Sequence, residues 1–181
     1  IQRSEVADVD VRAAFTLSVL LGTVVAGAMY LLAPAATLFF RTEGLTPVMR
    51  WLALTFLLTG VGETAHGLLE RNLHFRASGV VNVVSHAIGY GIPAVVMAAL
   101  GFGVWSLVAG AIGQRAVSAA ILFGLTRHPV RPTADVRAHR SLLRFGAAVS
   151  GISVLEYFGA TVDSLFVGRY GSAAALGVYN R

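Results

Sequence analysis

The feature that most constrains the fold is a run of about 28 residues, Ala13 to Phe40, without a charged side chain. As an α-helix this run would be about 42 Å long at 1.5 Å per residue, enough to cross roughly 30 Å of hydrocarbon with some tilt. Further apolar runs with at most two charged residues each cover 48–69, 79–100, 104–126 and 145–167. The sequence therefore predicts an all-α fold, a polytopic transmembrane helix bundle with five transmembrane helices.

A soluble all-α protein is the competing interpretation, and the charge distribution argues against it. Only 13% of the residues are charged, roughly half of the usual quarter, and none of the five runs carries a charged stripe for an outer face. A membrane β-barrel would need alternating segments of about ten residues, and the residues from Leu17 to Leu32 do not alternate. The absence of cysteine excludes a disulfide framework, a thiolate metal site and a cysteine nucleophile.

The arginines predict how the helices are oriented. The chain has a net charge of +5, and all its basic side chains other than histidine are arginines, since it has no lysine. Most of these arginines flank the apolar runs, and this distribution does not favour nucleic-acid binding. Alternate loops carry nine arginines on one side and three on the other, and the cytoplasmic side has the excess in membrane proteins. We therefore expect 1–12, 70–78 and 127–144 in the cytoplasm. Residues 1–12 are polar and include carboxylates, so no targeting segment is expected there.

Every predicted span carries polar residues at helical spacing, which predicts either a wet cavity or hydrogen bonds between helices. For the serines and threonines, such as Thr16, Thr23 and Thr37, hydrogen bonds between helices are the favoured interpretation. Ionisable groups are different, because their burial in hydrocarbon costs several kcal/mol unless a function uses them. The ionisable residues of this kind are Glu63, Arg115, Glu156 and Asp163.

Several motifs resemble the Wzx-like polysaccharide flippases of the MOP exporter superfamily. They are Gln2-Arg3, Leu68-Leu-Glu-Arg71 with Leu73-His-Phe-Arg76, Gly101-Phe-Gly-Val-Trp-Ser-Leu-Val-Ala-Gly110, Leu142-Leu-Arg-Phe-Gly146, Asp163-Ser-Leu-Phe-Val-Gly-Arg-Tyr-Gly171 and Ala175-Leu-Gly-Val-Tyr179. The resemblance implies a two-lobe transporter in which residues 1–126 end the N-terminal lobe. Residues 127–144 would be the cytoplasmic interlobe linker, and 145–181 would start the C-terminal lobe. His74 departs from the family, which usually has Arg or Lys in that segment.

The resemblance also implies a function and a substrate. Such proteins flip undecaprenyl-linked oligosaccharide from the inner to the outer leaflet of the bacterial cytoplasmic (inner) membrane by alternating access. Arg115 is then a candidate for the lipid pyrophosphate, and Gln114, Asn82 and His86 are candidates for the sugar hydroxyls. The alternative for Arg115 is that it snorkels or pairs with a carboxylate. The implied partners are lipid-linked oligosaccharide, membrane lipids and possible polysaccharide polymerase and export machinery, with no nucleic acid.

Four residues are candidates for ion coupling or for lining the cavity: Glu156, Asp163, Glu63 and His66. Glu156 is expected near the bilayer centre, where alternating access would let it take up and release a proton or cation. Asp163 has an equally good alternative, a cap or an ion pair with Arg169.

Two other function classes need weighing. Glu63-Thr-Ala-His66 is the Glu-x-x-His step of di-iron bundles, but such sites need a second copy and further carboxylates, and the chain has no second copy. We therefore predict no enzyme, no metal and no cofactor. A cation-coupled drug antiporter of the same superfamily remains the alternative, and it would favour intramembrane carboxylates without Arg115.

Overall fold

A computed structural model describes residues 8–126 and the four positions 157, 159, 161 and 162. The first range forms four helices, which we number α1 (Asp8–Phe40), α2 (Leu45–Arg71), α3 (Phe75–Ala99) and α4 (Val104–Thr126). All four are long and apolar enough to cross a membrane. Four of the five predicted spans are thus confirmed as helices of membrane-spanning length. The fifth, 145–167, and the linker 127–144 lie outside the described range apart from the four helical positions.

The helices begin earlier than hydrophobicity alone predicts. The predicted spans 13–40, 48–69 and 79–100 are extended at their N-terminal ends to Asp8, Leu45 and Phe75, whereas the span 104–126 coincides with α4. Helical hydrogen bonds do not depend on side-chain polarity, so a helix continues past the hydrocarbon until turn residues end it. The hydropathy pattern marks the apolar segment of each helix and not its ends.

Short turns connect the four helices, so that neighbours in sequence run antiparallel. Their backbones need left-handed conformations, which occur at Arg41 and Gly44, at Leu73, and at Gly101 and Gly103. Helix α1 packs against α2, α2 also packs against α4, and α4 packs against α3. Within the described residues α1 is therefore an edge helix that contacts α2 alone.

Small residues lie where the helices cross. A Cβ added at Gly22 of α1 would come within 2.7 Å of the carbonyl oxygen of Phe56, and one added at Gly60 of α2 within 2.6 Å of that of Ser18. Between α2 and α4, a Cβ at Gly62 would just touch Ala119. Most large apolar side chains of the four helices are exposed, for example Leu31 and Leu38. This is the expected arrangement in lipid, where close backbone packing and not burial of large side chains holds helices together.

Helix α3 contains a π-helical segment, Ser85–Gly91, between α-helical Phe75–Val84 and Ile92–Ala99. The span predicted for 79–100 includes no such segment. Pro93 is the second residue after the π segment, and it has no N–H to donate to the carbonyl of Gly89, four residues earlier. A π-bulge is one of the ways in which a helix accommodates such a residue.

Several threonine hydroxyls on the helices bond to a carbonyl of their own helix. Thr16 donates to the carbonyl of Arg12, Thr23 to that of Val19, and Thr59 to that of Thr55. These bonds stay within one helix, as hydroxyls four residues from a carbonyl commonly do. The bonds of Thr23 and Thr59 do not join helices, whereas Thr37 and Thr46 join α1 to α2 at 2.6 Å.

Candidate functional site

Arg115 lies at the midpoint of α4, and its side chain is exposed. Eleven residues of the helix precede it and eleven follow it, about 16 Å in each direction at 1.5 Å per residue. Within the part of the chain that the structure describes, no carboxylate forms an ion pair with it. A cation at this depth does not face hydrocarbon without a large free-energy cost. An arginine here either snorkels toward the membrane surface or meets water, a ligand or another part of the protein.

Contacts between α3 and α4 fix the depth of His86 relative to Arg115. A Cβ at Gly89 would come within 2.7 Å of the Gly113 carbonyl oxygen and 2.8 Å of the Gln114 Cα, so these residues lie at one level. The two helices are antiparallel. Arg115 follows Gly113 and Gln114 by two and one residues, which places it about 1.5–3 Å from that level along α4. His86 precedes Gly89 by three residues, which places it about 4.5 Å from the level in the same direction, because α3 runs opposite to α4. His86 and Arg115 thus lie within roughly 3 Å of the same membrane depth.

His86 forms a ring stack with Tyr90 on the π segment. Their ring centroids are 5.1 Å apart and the planes differ by 4°. Tyr90 also packs against Gly110, where an added Cβ would lie 2.9 Å from the tyrosine ring. Glycine at this position therefore makes room for the ring. The stack presents an exposed imidazole near the level of Arg115, and Asn82, one turn away, is also exposed.

Glu63 and His66 lie closer to the end of α2. Gly62 lies level with Ala119, which a Cβ at Gly62 would touch and which is four residues beyond Arg115. Because α2 and α4 run in the same direction, Glu63 lies about 7–8 Å from the level of Arg115, toward the C-terminal end of α2. Its side chain is exposed. His66 is different, because its Nε2 is hydrogen-bonded to Ser78 Oγ at 3.0 Å and its Nδ1 lies 3.6 Å from a carboxylate oxygen of Glu70. His66 thereby ties α2 to α3.

The structure brings the predicted substrate contacts Arg115, Gln114 and His86 to similar depth on neighbouring helices, with Asn82 one turn away. Gln114 is half-buried, and its backbone is part of the α3–α4 contact. Glu156 and Asp163 lie outside the described residues. Within the described ranges no group of three His, Asp or Glu side chains is placed to hold a metal ion.

The sequence does not predict the environment of Arg50. The arginine count groups Arg50 with the turn after the first span, although the predicted span 48–69 contains it, and it lies in the second turn of α2. Its guanidinium carbon is 4.8 Å from the centroid of the Tyr30 ring of α1. One feature of the sequence could have indicated the contact between Arg50 and Tyr30. The two residues lie on either side of the turn between α1 and α2, and antiparallel helices bring such residues to a similar depth.

Comparison with known proteins identifies the family. The model of the family described as polysaccharide biosynthesis protein matches residues 1–181, the whole chain. The chain belongs to this family. The predicted resemblance to Wzx-like proteins is confirmed by this match together with two curated relatives.

These relatives come from two bacteria. The chain is 23% identical over 182 residues to the teichuronic acid biosynthesis protein TuaB of Bacillus subtilis (strain 168). It is 26% identical over 187 residues to the lipopolysaccharide biosynthesis protein WzxC of Escherichia coli (strain K12). Both alignments cover 99% of this chain but only 38% and 37% of the relatives, so the chain spans less than two fifths of their length. No solved structure matches the chain significantly.

Proposed function

We propose that this chain is part of a transporter that flips undecaprenyl-linked oligosaccharide from the inner to the outer leaflet of the bacterial inner membrane. The family match supports a role in polysaccharide biosynthesis, and the four helices of spanning length support a multi-pass membrane protein. In this proposal residues 1–126 belong to one lobe, 127–144 form the cytoplasmic linker and 145–181 begin the second lobe. The two lobes alternate the exposure of a cavity between them.

The observation that carries the proposal is the exposed Arg115 at the centre of α4. An arginine at the middle of a transmembrane helix costs about 2.5–3.5 kcal/mol to insert, and the described helices give it no carboxylate partner. A pyrophosphate-linked lipid supplies the missing charge, because guanidinium groups form two parallel hydrogen bonds with phosphate oxygens. Arg115 would hold the pyrophosphate while the oligosaccharide occupies the cavity.

The residues at similar depth suit the sugar part of the substrate. His86, held by its stack on Tyr90, presents ring nitrogens and an aromatic face, and the amide groups of Asn82 and Gln114 both donate and accept hydrogen bonds. No nucleophile or paired acid and base is among these residues, so we propose binding and transport and no chemical reaction. Polysaccharide polymerase and export machinery are the proposed downstream partners.

A cation-coupled small-molecule antiporter is the second candidate, and exposed Glu63 favours it. A carboxylate on an otherwise apolar helix could exchange protons or sodium ions as the cavity opens to either side. The two candidates differ in what Arg115 does. An antiporter has no need of a central guanidinium, whereas a carrier of pyrophosphate loses its main anion contact without it.

The test uses the full-length protein in proteoliposomes containing a fluorescent undecaprenyl pyrophosphate-linked oligosaccharide. Flipping is measured as the fraction of fluorescence that becomes accessible to a membrane-impermeant quencher. Arg115→Gln should lower the flipping rate about tenfold or more, since a hydrogen bond to a charged group contributes about 1.5–3 kcal/mol. Arg115→Lys keeps the charge but loses the paired hydrogen bonds, so its flipping rate should lie between those of the parental protein and of Arg115→Gln.

Arg41→Gln is the matched control, because Arg41 is exposed in the turn between α1 and α2. It removes the same charge far from the centre of the membrane, and it should flip at the parental rate. Equal flipping by Arg115→Gln and Arg41→Gln, at equal protein abundance, would contradict the role of Arg115. Proton-driven or sodium-driven drug export by the parental protein, retained in Arg115→Gln and without lipid flipping in either protein, would favour the antiporter.

A further inference from the structure

A groove of about 640 Å³ lies between α1 and α2, near the turn that joins them. Its walls are largely apolar, and the side chains that form them include Ala26, Ala53, Leu54 and Leu57. Gly27 opens one wall, since a Cβ added there would have no heavy atom within 4 Å. The volume is in the range of ordinary ligand pockets, which is about 300–1,000 Å³.

One end of the groove is basic and aromatic. Arg50 lies there with its guanidinium over the Tyr30 ring, and Trp51 beside it is half exposed, at 54%. Within residues 8–126 no carboxylate forms an ion pair with Arg50. Tyrosine and tryptophan are enriched where helices pass the lipid headgroups. The combination of an unpaired cation and two amphipathic rings is suited to a negatively charged headgroup.

The length of the groove corresponds to one leaflet. On α2 its lining extends from Thr46 to Leu57, and Leu57 is next to the midpoint of that helix. From Arg50 to Leu57 the distance along the axis is about 10.5 Å at 1.5 Å per residue. The groove therefore begins at headgroup depth and ends near the bilayer centre. It is lined by α1 and α2, and no residue of α3 or α4 contributes to its described lining, so it is separate from Arg115.

We propose that this groove binds a bilayer glycerophospholipid with a negatively charged headgroup. The phosphate pairs with Arg50, and one acyl chain lies along the apolar walls past Gly27 toward Leu57. A bilayer lipid fits better than the transported carrier lipid, because the groove has the depth of a single leaflet and its described lining includes no residue of α3 or α4, the helices that carry the substrate candidates. The proposal is independent of the proposed transport function.

The test measures lipid retention by the purified full-length protein with native mass spectrometry. The protein is mixed with phosphatidylglycerol and phosphatidylcholine of identical acyl chains, and the ratio of the two bound lipids is recorded. Arg50→Gln should reduce the preference for phosphatidylglycerol about fivefold, which corresponds to the roughly 1 kcal/mol that one arginine contributes near an anionic lipid surface. Arg41→Gln, which removes a neighbouring charge outside the groove, should keep the parental preference.

A second pair of variants tests the apolar part. Gly27→Leu should fill the groove and reduce retention of both lipids, whereas Gly67→Leu, at another helical glycine with nothing within 4 Å of its Cβ, should not. Unchanged preference in Arg50→Gln, or unchanged retention in Gly27→Leu, would overturn the proposal. Displacement of phosphatidylglycerol by an equimolar amount of undecaprenyl phosphate would also overturn it, because the groove would then belong to the transported lipid.

Discussion

The carbonyl oxygen of Gly89 lies so close to Gly113 that a Cβ added at Gly113 would overlap it. This carbonyl has lost its usual helical donor, because the residue four positions later is Pro93. The π segment of α3 and the glycine of α4 therefore belong to one structural feature. It sets the distance between the two helices that carry His86 and Arg115.

Gly113→Ala should destabilise the full-length protein by about 1–3 kcal/mol, since an added methyl group in a tightly packed contact forces backbone movement. The expected result is a lower midpoint of thermal unfolding in detergent, together with lower abundance in the membrane. Gly124→Ala is the control, because a Cβ there meets nothing within 4 Å. If both variants melt at the same temperature, the close contact is not important for stability.

A reporter that is active only in the cytoplasm tests the predicted orientation. Fused at Pro132 or at Asn72 it should be active, and fused at Gly44 or Gly101 it should be silent, because arginines are concentrated on the cytoplasmic side. Gly44 and Gly101 lie in exposed turns between helices, where insertions are best tolerated. The inverse activity pattern would reverse the orientation.

Ser78→Ala should lower the thermal unfolding midpoint, because it removes the hydrogen bond between buried Ser78 and His66 that joins α2 to α3. A bond of this kind contributes about 0.5–1.5 kcal/mol. Glu63→Gln should leave the midpoint unchanged, since Glu63 is exposed, and should alter only gradient-driven transport. A Ser78→Ala protein with the parental midpoint would show that His66 is not a structural tie.

Glu156 and Asp163, both outside the described residues, should respond differently to loss of charge. Glu156→Gln should abolish the stimulation of transport by an imposed proton or sodium gradient while substrate binding persists, because an ionisable group near the bilayer centre is expected to serve transport. Asp163→Asn should mainly reduce the amount of folded protein. Transport in proteoliposomes with and without the gradient separates the two, and a fully gradient-dependent Glu156→Gln protein would exclude Glu156 from coupling.

The described membrane segments could be predicted from the sequence, as could three of their boundaries, the end of α1 at Phe40 and both ends of α4. Val104–Thr126 is predicted to the residue because glycine-containing turn chemistry precedes it and Arg127 and Pro129 follow it. The family, too, could be identified from motifs, and the match over the whole chain confirms it. The π segment of α3 could not be predicted from the hydropathy pattern. Its seven residues differ from an α-helix in which backbone groups are hydrogen-bonded, and a stretch this short leaves no clear change in the spacing of apolar side chains.

The candidate site was only partly predictable, because the sequence shows what lies along each helix and not how the helices face one another. The sequence by itself determined that helices form and that Arg115 lies at the centre of one of them, since charge and hydropathy act along the chain. Only the tertiary structure decided that His86 lies at the depth of Arg115, that His66 is held by Ser78, and that Arg50 meets Tyr30 beside an apolar groove. Those relationships depend on the rotation and separation of packed helices. Glycines at the crossings set both, through backbone contacts that hydropathy does not record.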